Sequence, residues 1–316
     1  MTLFKKLVNL LHTPEPSIAT FPAVSASHLL QSLLTMAWFV EARDPYTGGH
    51  LWRVSRYARL LAEQTGADEA TAARIGLGGF LHDLGKVGVP DAILRKTDRL
   101  TDAEYEVIKT HPSIGMRMLA GHPLASLVRD AIYSHHERPD GMGYPQGLRS
   151  EEISDMAAMV GICDAFDAMT SSRPYRNGMP RDKALGILRA EEGRQFHSRF
   201  TAAFLALGHT GALDHVMGHS DEGIPLQSCP MCGPTLALRK DQHAGERIYC
   251  RNCTGEFKLV QGDACLVATP TGQQGKPDDL EPQADTGLIQ RTVVAAVKAL
   301  PAADLLQAAA DLDRGK

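Results

Sequence analysis

His82-Asp83-Leu84-Gly85-Lys86 closes an apolar, helix-prone stretch that starts at Ala67 and runs to Leu84 through Gly76, Gly78 and Gly79. Adjacent imidazole and carboxylate groups suit divalent cations of hard to borderline character, and a carboxylate bridges two ions through its two oxygens. A His-Asp pair alone arises by chance, but this one has company: His50 upstream, then His111, His135-His136-Glu137 and Asp164. Taken singly, each histidine reads as a helix cap or a surface residue. Together, five histidines and two aspartates supply ligands for about two divalent sites with positions left open for water and substrate.

The sequence around this set is helical. Leu29, Leu30, Leu33, Leu34, Ala37 and Trp38 recur at the three-and-four spacing of one helix face. Thr101-Asp102-Ala103-Glu104 is a capping box that opens a helix, and His111-Pro112 is expected to end it. Ala125 to His136, Ile153 to Met169 and Arg181 to Glu192 read as further helices separated by Gly/Pro-rich loops. Nothing alternates as a strand before residue 224. Residues 28–220 are therefore expected to form an all-α bundle.

A length of 316 residues suggests two domains. With 43% hydrophobic and 22% charged residues the chain is neither disordered nor a multi-span membrane protein. A net charge of −4 provides no basic face, so general binding to duplex nucleic acid is not expected. Met1–Leu11 combines Lys5 and Lys6 with Leu7, Val8, Leu10 and Leu11, but Asn9 interrupts the apolar run and no cleavage box follows. Residues 1–27 are expected to be an amphipathic segment and linker. Leu29–Val40 is too short to span a bilayer. The expected location is the cytoplasm.

Five of the 6 cysteines lie beyond residue 228. Cys229-Pro-Met-Cys232 and Cys250-Arg-Asn-Cys253 form two C-x-x-C turns, each able to aim two thiolates at one ion. The pattern resembles a zinc ribbon, with one structural zinc; a redox dithiol pair or unligated cysteines are the alternatives. Four thiolates close the coordination sphere, which argues against catalysis there. Arg247–Tyr249 and Glu256–Val260 are β-prone, so residues 221–268 are expected to be a small β module. Cys163 and Cys265 are expected in the core, the second in a strand. Residues 269–316 read as a flexible Pro/Gly/Gln/Asp linker, over 269–286, and a terminal helical region broken at Pro301.

Several longer segments occur in order: Arg43-Asp-Pro-Tyr-Thr-Gly-Gly-His50-Leu-Trp-Arg-Val54, His82-Asp-Leu-Gly-Lys86, His111-Pro-Ser-Ile-Gly115, His135-His-Glu-Arg-Pro-Asp-Gly-Met-Gly-Tyr-Pro145 and Asp164-Ala-Phe-Asp-Ala-Met-Thr-Ser-Ser-Arg-Pro-Tyr-Arg176. Together they resemble the HD-GYP family, a branch of the HD metal-dependent phosphohydrolases that hydrolyses the bacterial second messenger cyclic di-GMP. The resemblance runs from Arg43 to about Leu207. It implies that His50, His82, Asp83 and Asp164 hold one metal, and that Asp83 bridges to a second held by His111, His135 and His136. The family ions are usually iron or manganese. Members with a third metal carry Glu where this chain has Tyr46, so two ions are expected here.

Lys86, three residues after Asp83, can place an ammonium beside the nucleophile or a non-bridging phosphate oxygen, and Tyr144 offers a ring face and a hydroxyl at the pocket; the same resemblance assigns Arg173 and Arg176 to the ligand. A water activated between two ions would cut the phosphodiester, giving pGpG after one cut or GMP after two. Asp167, one turn after Asp164, can orient a ligand histidine, and Glu137 can serve in the same way as a base behind the ligands. The loop at Gly143-Tyr144-Pro145 is linked in the family to contacts with diguanylate cyclase (GGDEF) domains; the zinc ribbon is another candidate surface for a protein partner. Two other readings stay open: a cyclic di-GMP receptor that does not cleave, and an HD phosphohydrolase acting on another nucleotide.

Overall fold

The computed structural model describes residues 26–44, 47–172 and 177–301. The N-terminal amphipathic segment, Tyr46, Arg173, Arg176 and the chain after Pro301 lie outside the described residues.

The first helix, α1 (Ala26–Glu41), buries Leu30, Leu33, Leu34, Ala37 and Val40 along one face. Helix α2 (His50–Gln64) packs against α3 (Glu69–Leu81), which Asp68 opens by accepting a hydrogen bond from the Thr71 amide. The glycines that weaken α3 as an isolated helix are what let α2 approach. A Cβ on Gly79 would stand 3.0 Å from the Ser55 Cα and the Val54 carbonyl oxygen. Beyond α3 the chain tightens into a 3₁₀ turn, Leu84–Gly88.

Two short helices follow, α4 (Asp91–Leu94) and α5 (Asp102–Ile108), the latter carrying the complete Thr101–Glu104 capping box. His111-Pro112 does not end this helix. It opens the next one, α6 (His111–Met118), because proline in a first turn lacks only an N–H that would have no helical partner. Helix α6 lies directly against the 3₁₀ turn, where a side chain on Gly85 would collide with the His111 carbonyl. Then come α7 (Ala125–Ser134), α8 (Asp155–Thr170), α9 (Arg181–Ala190) and α10 (Ser198–His209). Tyr57, Phe166 and Phe204 meet edge to face at the centre, with Phe166 and Phe204 ring centroids 5.0 Å apart.

Small antiparallel sheets complete the fold: β1 (His219–Asp221) with β2 (Ile224–Pro225), β3 (Gln227–Ser228) with β4 (Thr235–Leu236), and a three-stranded sheet β5–β6–β7 (Arg247–Tyr249, Gly255–Gln261, Leu266–Gln274). Cys229, Leu236, Cys250 and Phe257 form a separate small core. The architecture is the expected helical bundle followed by a small β module that gathers the four paired cysteines.

Four details differ from expectation. Strand β1 starts before residue 224. Strand β7 continues through Gln274, into the stretch expected as linker, and pairs Phe257 with Pro270 and Gly255 with Gln274. Cys265 is half-buried in the turn between β6 and β7, outside any strand or core. The terminal helix α11 (Thr286–Ala299), capped by Asp285, buries Leu288, Ile289, Val293 and Ala296 in the main helical core against α1 and α3. No helix among the described residues is long and apolar enough to cross a membrane.

Candidate metal centre

Helix ends deliver the histidines. His50 and His111 are the first residues of α2 and α6, His82 and His135 cap the C-termini of α3 and α7, and His136 follows. His82 Nδ1 donates to the Gly79 carbonyl at 2.7 Å, His111 Nδ1 to Ile108 at 2.8 Å and His135 Nδ1 to Ala131 at 2.6 Å. His50 Nδ1 donates to Asp167 Oδ2 at 2.8 Å. Carbonyl and carboxylate oxygens only accept, so each Nδ1 carries a proton and each Nε2 faces inward, free to offer its lone pair to a cation once the ring is neutral.

Those Nε2 atoms converge on Asp83. Its Oδ2 lies 3.6 Å from His50 Nε2 and 3.4 Å from His82 Nε2, while its Oδ1 lies 3.5 Å from His111 Nε2. Asp164 Oδ1 is 3.5 Å from His50 Nε2. The ligand atoms of His50, His82 and Asp164 lie within 4.8 Å of one another, as do those of His111, His135 and His136, and those of His82, Asp83 and His135. The structure thus brings together all seven side chains assigned to metal by sequence. Lys86 Nζ stands 2.5 Å from Asp83 Oδ2.

Two observations test whether a cation fits. His82 Nε2 and Asp83 Oδ1 are buried without a hydrogen-bond partner, a costly arrangement that a cation relieves. His111 Nε2 and His135 Nε2 face each other at 3.3 Å, and burial holds both rings neutral: His111 falls to about 4 and His135 well below its usual value. Two lone pairs at that distance repel unless something positive lies between them. Burial first, then competition with the neighbouring His111 ring for a proton, takes His136 to about 3. His82 runs the other way. Burial pulls it down, but Asp83 and Asp164 outweigh that and lift it to about 10. The cluster wants positive charge beside its carboxylates, and its imidazole and carboxylate donors suit divalent transition metals.

Behind the ligands stands a residue that sequence reading missed. Arg53, fully buried, grips Asp167 with Nε to Oδ1 at 2.6 Å and Nη2 to Oδ2 at 3.0 Å. Its Nη1 donates to the carbonyls of Gly48 (3.0 Å) and His219 (2.9 Å), tying the metal cluster to strand β1. Burial would raise the Asp167 pKa, but Arg53 and His50 drive it well below the usual carboxylate range. Arg53 lies three residues after His50 on the same helix face, the one signal available in sequence. Glu41 is the second such residue: its carboxylate accepts from the Gly49 and Leu51 amides, both at 2.7 Å, and caps the helix that presents His50.

Tyr144 stacks on His136 at 4.7 Å with the rings 29° apart, and Lys109 Nζ lies 5.5 Å from its centroid. Glu137 does not back a histidine. Its two oxygens accept from the Gln146 amide at 2.6 Å and the Leu148 amide at 2.9 Å, so it clasps the loop that carries Tyr144. Glu137→Ala is expected to leave two loop amides unpaired, at about 1–3 kcal/mol where they stay buried. Hydrogen exchange at the Gln146 and Leu148 amides should speed up at least severalfold while the helical core stays protected.

In the β module, sulfur atoms of Cys229 and Cys253 are 3.7 Å apart, as are Cys232 and Cys229, with Cys232 and Cys250 at 3.5 Å. Tetrahedral geometry with ~2.3 Å zinc–sulfur bonds requires roughly 3.8 Å between sulfurs. The thiols are all free and their spacing fits such an ion.

The chain is similar to known proteins over its helical part. An HD-domain family model matches residues 35–199. A cyclic di-GMP phosphodiesterase response regulator of Xanthomonas campestris is 41% identical over 177 residues, covering 55% of this chain and 47% of the relative. A cyclic di-GMP phosphodiesterase of Thermotoga maritima is 36% identical over 208 residues, covering 65% of this chain and 55% of that one. A 3′3′-cGAMP-specific phosphodiesterase of Vibrio cholerae is 41% identical over 150 residues, covering 47% and 32% respectively. The chain spans about half the length of the first two. The histidine–aspartate cluster and the family match over more than half its length place this chain in the HD-domain family.

Proposed function

We propose that this chain hydrolyses cyclic di-GMP to pGpG and/or GMP. The observation that carries the reading is the inward convergence of buried His82 Nε2, His111 Nε2, His135 Nε2 and both Asp83 oxygens, with no hydrogen donor in place to satisfy His82 Nε2 or Asp83 Oδ1. Two divalent ions, iron or manganese, would be held by His50, His82, Asp83 and Asp164 on one side and by Asp83, His111, His135 and His136 on the other. Bound there, they would supply Lewis acidity to the phosphate and lower the pKa of the attacking water.

The chain's own residues supply the rest. Asp83 and Asp164 place negative charge where cations are needed. Lys86, half-buried beside Asp83, positions an ammonium for a non-bridging phosphate oxygen. Tyr144 fixes the His136 ring and borders the substrate, while Arg173 and Arg176, which lie outside the described residues, would contact phosphate or guanine. Two relatives are named for cyclic di-GMP and one for 3′3′-cGAMP, so both dinucleotides belong in the test. Metal-refilled protein should cleave cyclic di-GMP with the higher kcat/KM, and His82→Ala should abolish cleavage. Preference for 3′3′-cGAMP would reassign the substrate. Binding without cleavage of either would favour a receptor.

Cys229, Cys232, Cys250 and Cys253 would hold one structural zinc. Cys250→Ser is expected to remove one zinc per chain and to expose the amides of β5 and β6 to hydrogen exchange, with the helical core still protected. The proposed location is the cytoplasm, with the Tyr144 loop or the β module as the surface for a GGDEF domain or another protein.

A further inference from the structure

Away from the metal cluster, a cavity of about 350 Å³ lies between the helical bundle and the β module. That is at the lower end of the range for small-molecule sites, roughly 300–1,000 Å³, and suits one ring system with a small substituent. The chain has only 2 tryptophans, and both, Trp38 and Trp52, line this cavity, with Phe80 and Tyr249 beside them. Aromatic walls favour a flat ring that can stack or meet an edge.

The polar groups on the wall divide by sign. Gln242, 9% exposed, uses its side-chain carbonyl to accept from the Arg239 amide, and its NH₂ group has no partner among the described residues. Arg251 donates one N–H to the Ala42 carbonyl at 2.8 Å and has no carboxylate within ion-pair distance among the described residues. Burial, together with Arg95, lowers its pKa, as expected of a guanidinium short of negative partners. Carboxylates also line the cavity, and several are otherwise engaged: Glu41 caps α2, Glu246 accepts from the His243 amide, Asp279 from the Lys276 amide and Asp285 from the Leu288 amide. They still outnumber the guanidinium groups around the cavity, which disfavours a polyanion.

We propose that this cavity is a second ligand site, for a planar heteroaromatic molecule carrying a single anionic group. The ring lies among the aromatic residues, the anion meets Arg251, and the Gln242 amide donates to a ring acceptor. Its wall includes Glu41, Gly48 and Gly49, so the occupant rests against the turn that delivers His50. The site is independent of the hydrolytic reading, and so is its test.

Tryptophan fluorescence of the full, metal-loaded chain reads occupancy directly. Orotate and cyclic GMP are the monoanionic probes; uracil, which lacks the orotate carboxylate, and ATP are the comparators. At least one monoanion should quench saturably, with both comparators at least tenfold weaker. Arg251→Ala and Gln242→Leu should each raise the Kd tenfold or more while zinc content and melting temperature show the fold intact. Gln242 lies outside both C-x-x-C turns, whereas Arg251 lies within one, so Gln242→Leu tests the site even where Arg251→Ala perturbs the module. No saturable quenching by either monoanion would overturn the proposal, as would uracil or ATP binding equally well, or a Kd unchanged in a folded variant. None of these outcomes bears on whether cyclic di-GMP is cleaved.

Discussion

Asp83→Ala is expected to lower hydrolysis by roughly a thousandfold or more, since several kcal/mol of transition-state charge stabilisation is involved and each ~1.4 kcal/mol is tenfold. Asp83 is the one carboxylate with an oxygen toward each histidine group, Oδ2 toward His50 and His82 and Oδ1 toward His111. Its loss therefore affects both proposed ions at once. Stability should respond differently. Lys86, its ammonium partner, is partly exposed and can turn to water, so the metal-free variant should melt near the metal-free wild type. What should vanish is the rise in melting temperature on adding Mn(II), because ligand-induced stabilisation scales with affinity. Wild-type metal content in this variant would remove Asp83 from the centre.

Arg53→Met should be the most destabilising single change near the site. It strands the fully buried Asp167 carboxylate, and breaking a buried ion pair from one side costs about 3–5 kcal/mol. At ~2–4 °C per kcal/mol for a domain of this size, melting should fall by about 6–20 °C. Metal affinity should fall roughly 10–100-fold, because Asp167 then no longer holds His50 Nδ1 in one geometry. Arg53→Lys should not rescue, since one ammonium cannot replace a two-pronged grip plus bonds to Gly48 and His219. Adding Asp167→Asn to Arg53→Met should restore much of the stability without restoring metal affinity. That separates a positioning role from a merely structural one. Full metal affinity in Arg53→Met would contradict it.

Of the seven clustered side chains, His50 and His111 open helices and His82-Asp83 and His135-His136 are adjacent pairs, whereas Asp164 lies inside α8 and was legible only through the motif that it begins. Arg53 was not legible. Its partner Asp167 is 114 residues away, and an arginine on an amphipathic helix normally reads as solvent-facing. Asp167 could be suspected from its one-turn offset from Asp164, whereas Glu137 offered no sign that it would turn toward loop amides. His111-Pro112 was misread because proline marks a helix start as well as an end. The terminal helix was recognised as helical but not as core, because its apolar face is meaningful only once α1 and α3 are seen beneath it. The same holds for β7: Thr269 to Gln274 is polar and glycine-containing, and its strand state comes from pairing with β6.

A two-ion hydrolytic centre at the histidine–aspartate cluster has a stoichiometry that can be counted. The most direct measurement is a titration of Mn(II) into metal-depleted protein under anaerobic conditions, with cyclic di-GMP cleavage followed at each addition. Cleavage should be negligible at the start and rise to a break at two equivalents, with pGpG or GMP as the only new nucleotides. Cleavage that needs no refilling, or none after refilling with either Mn(II) or Fe(II), would contradict the two-ion centre.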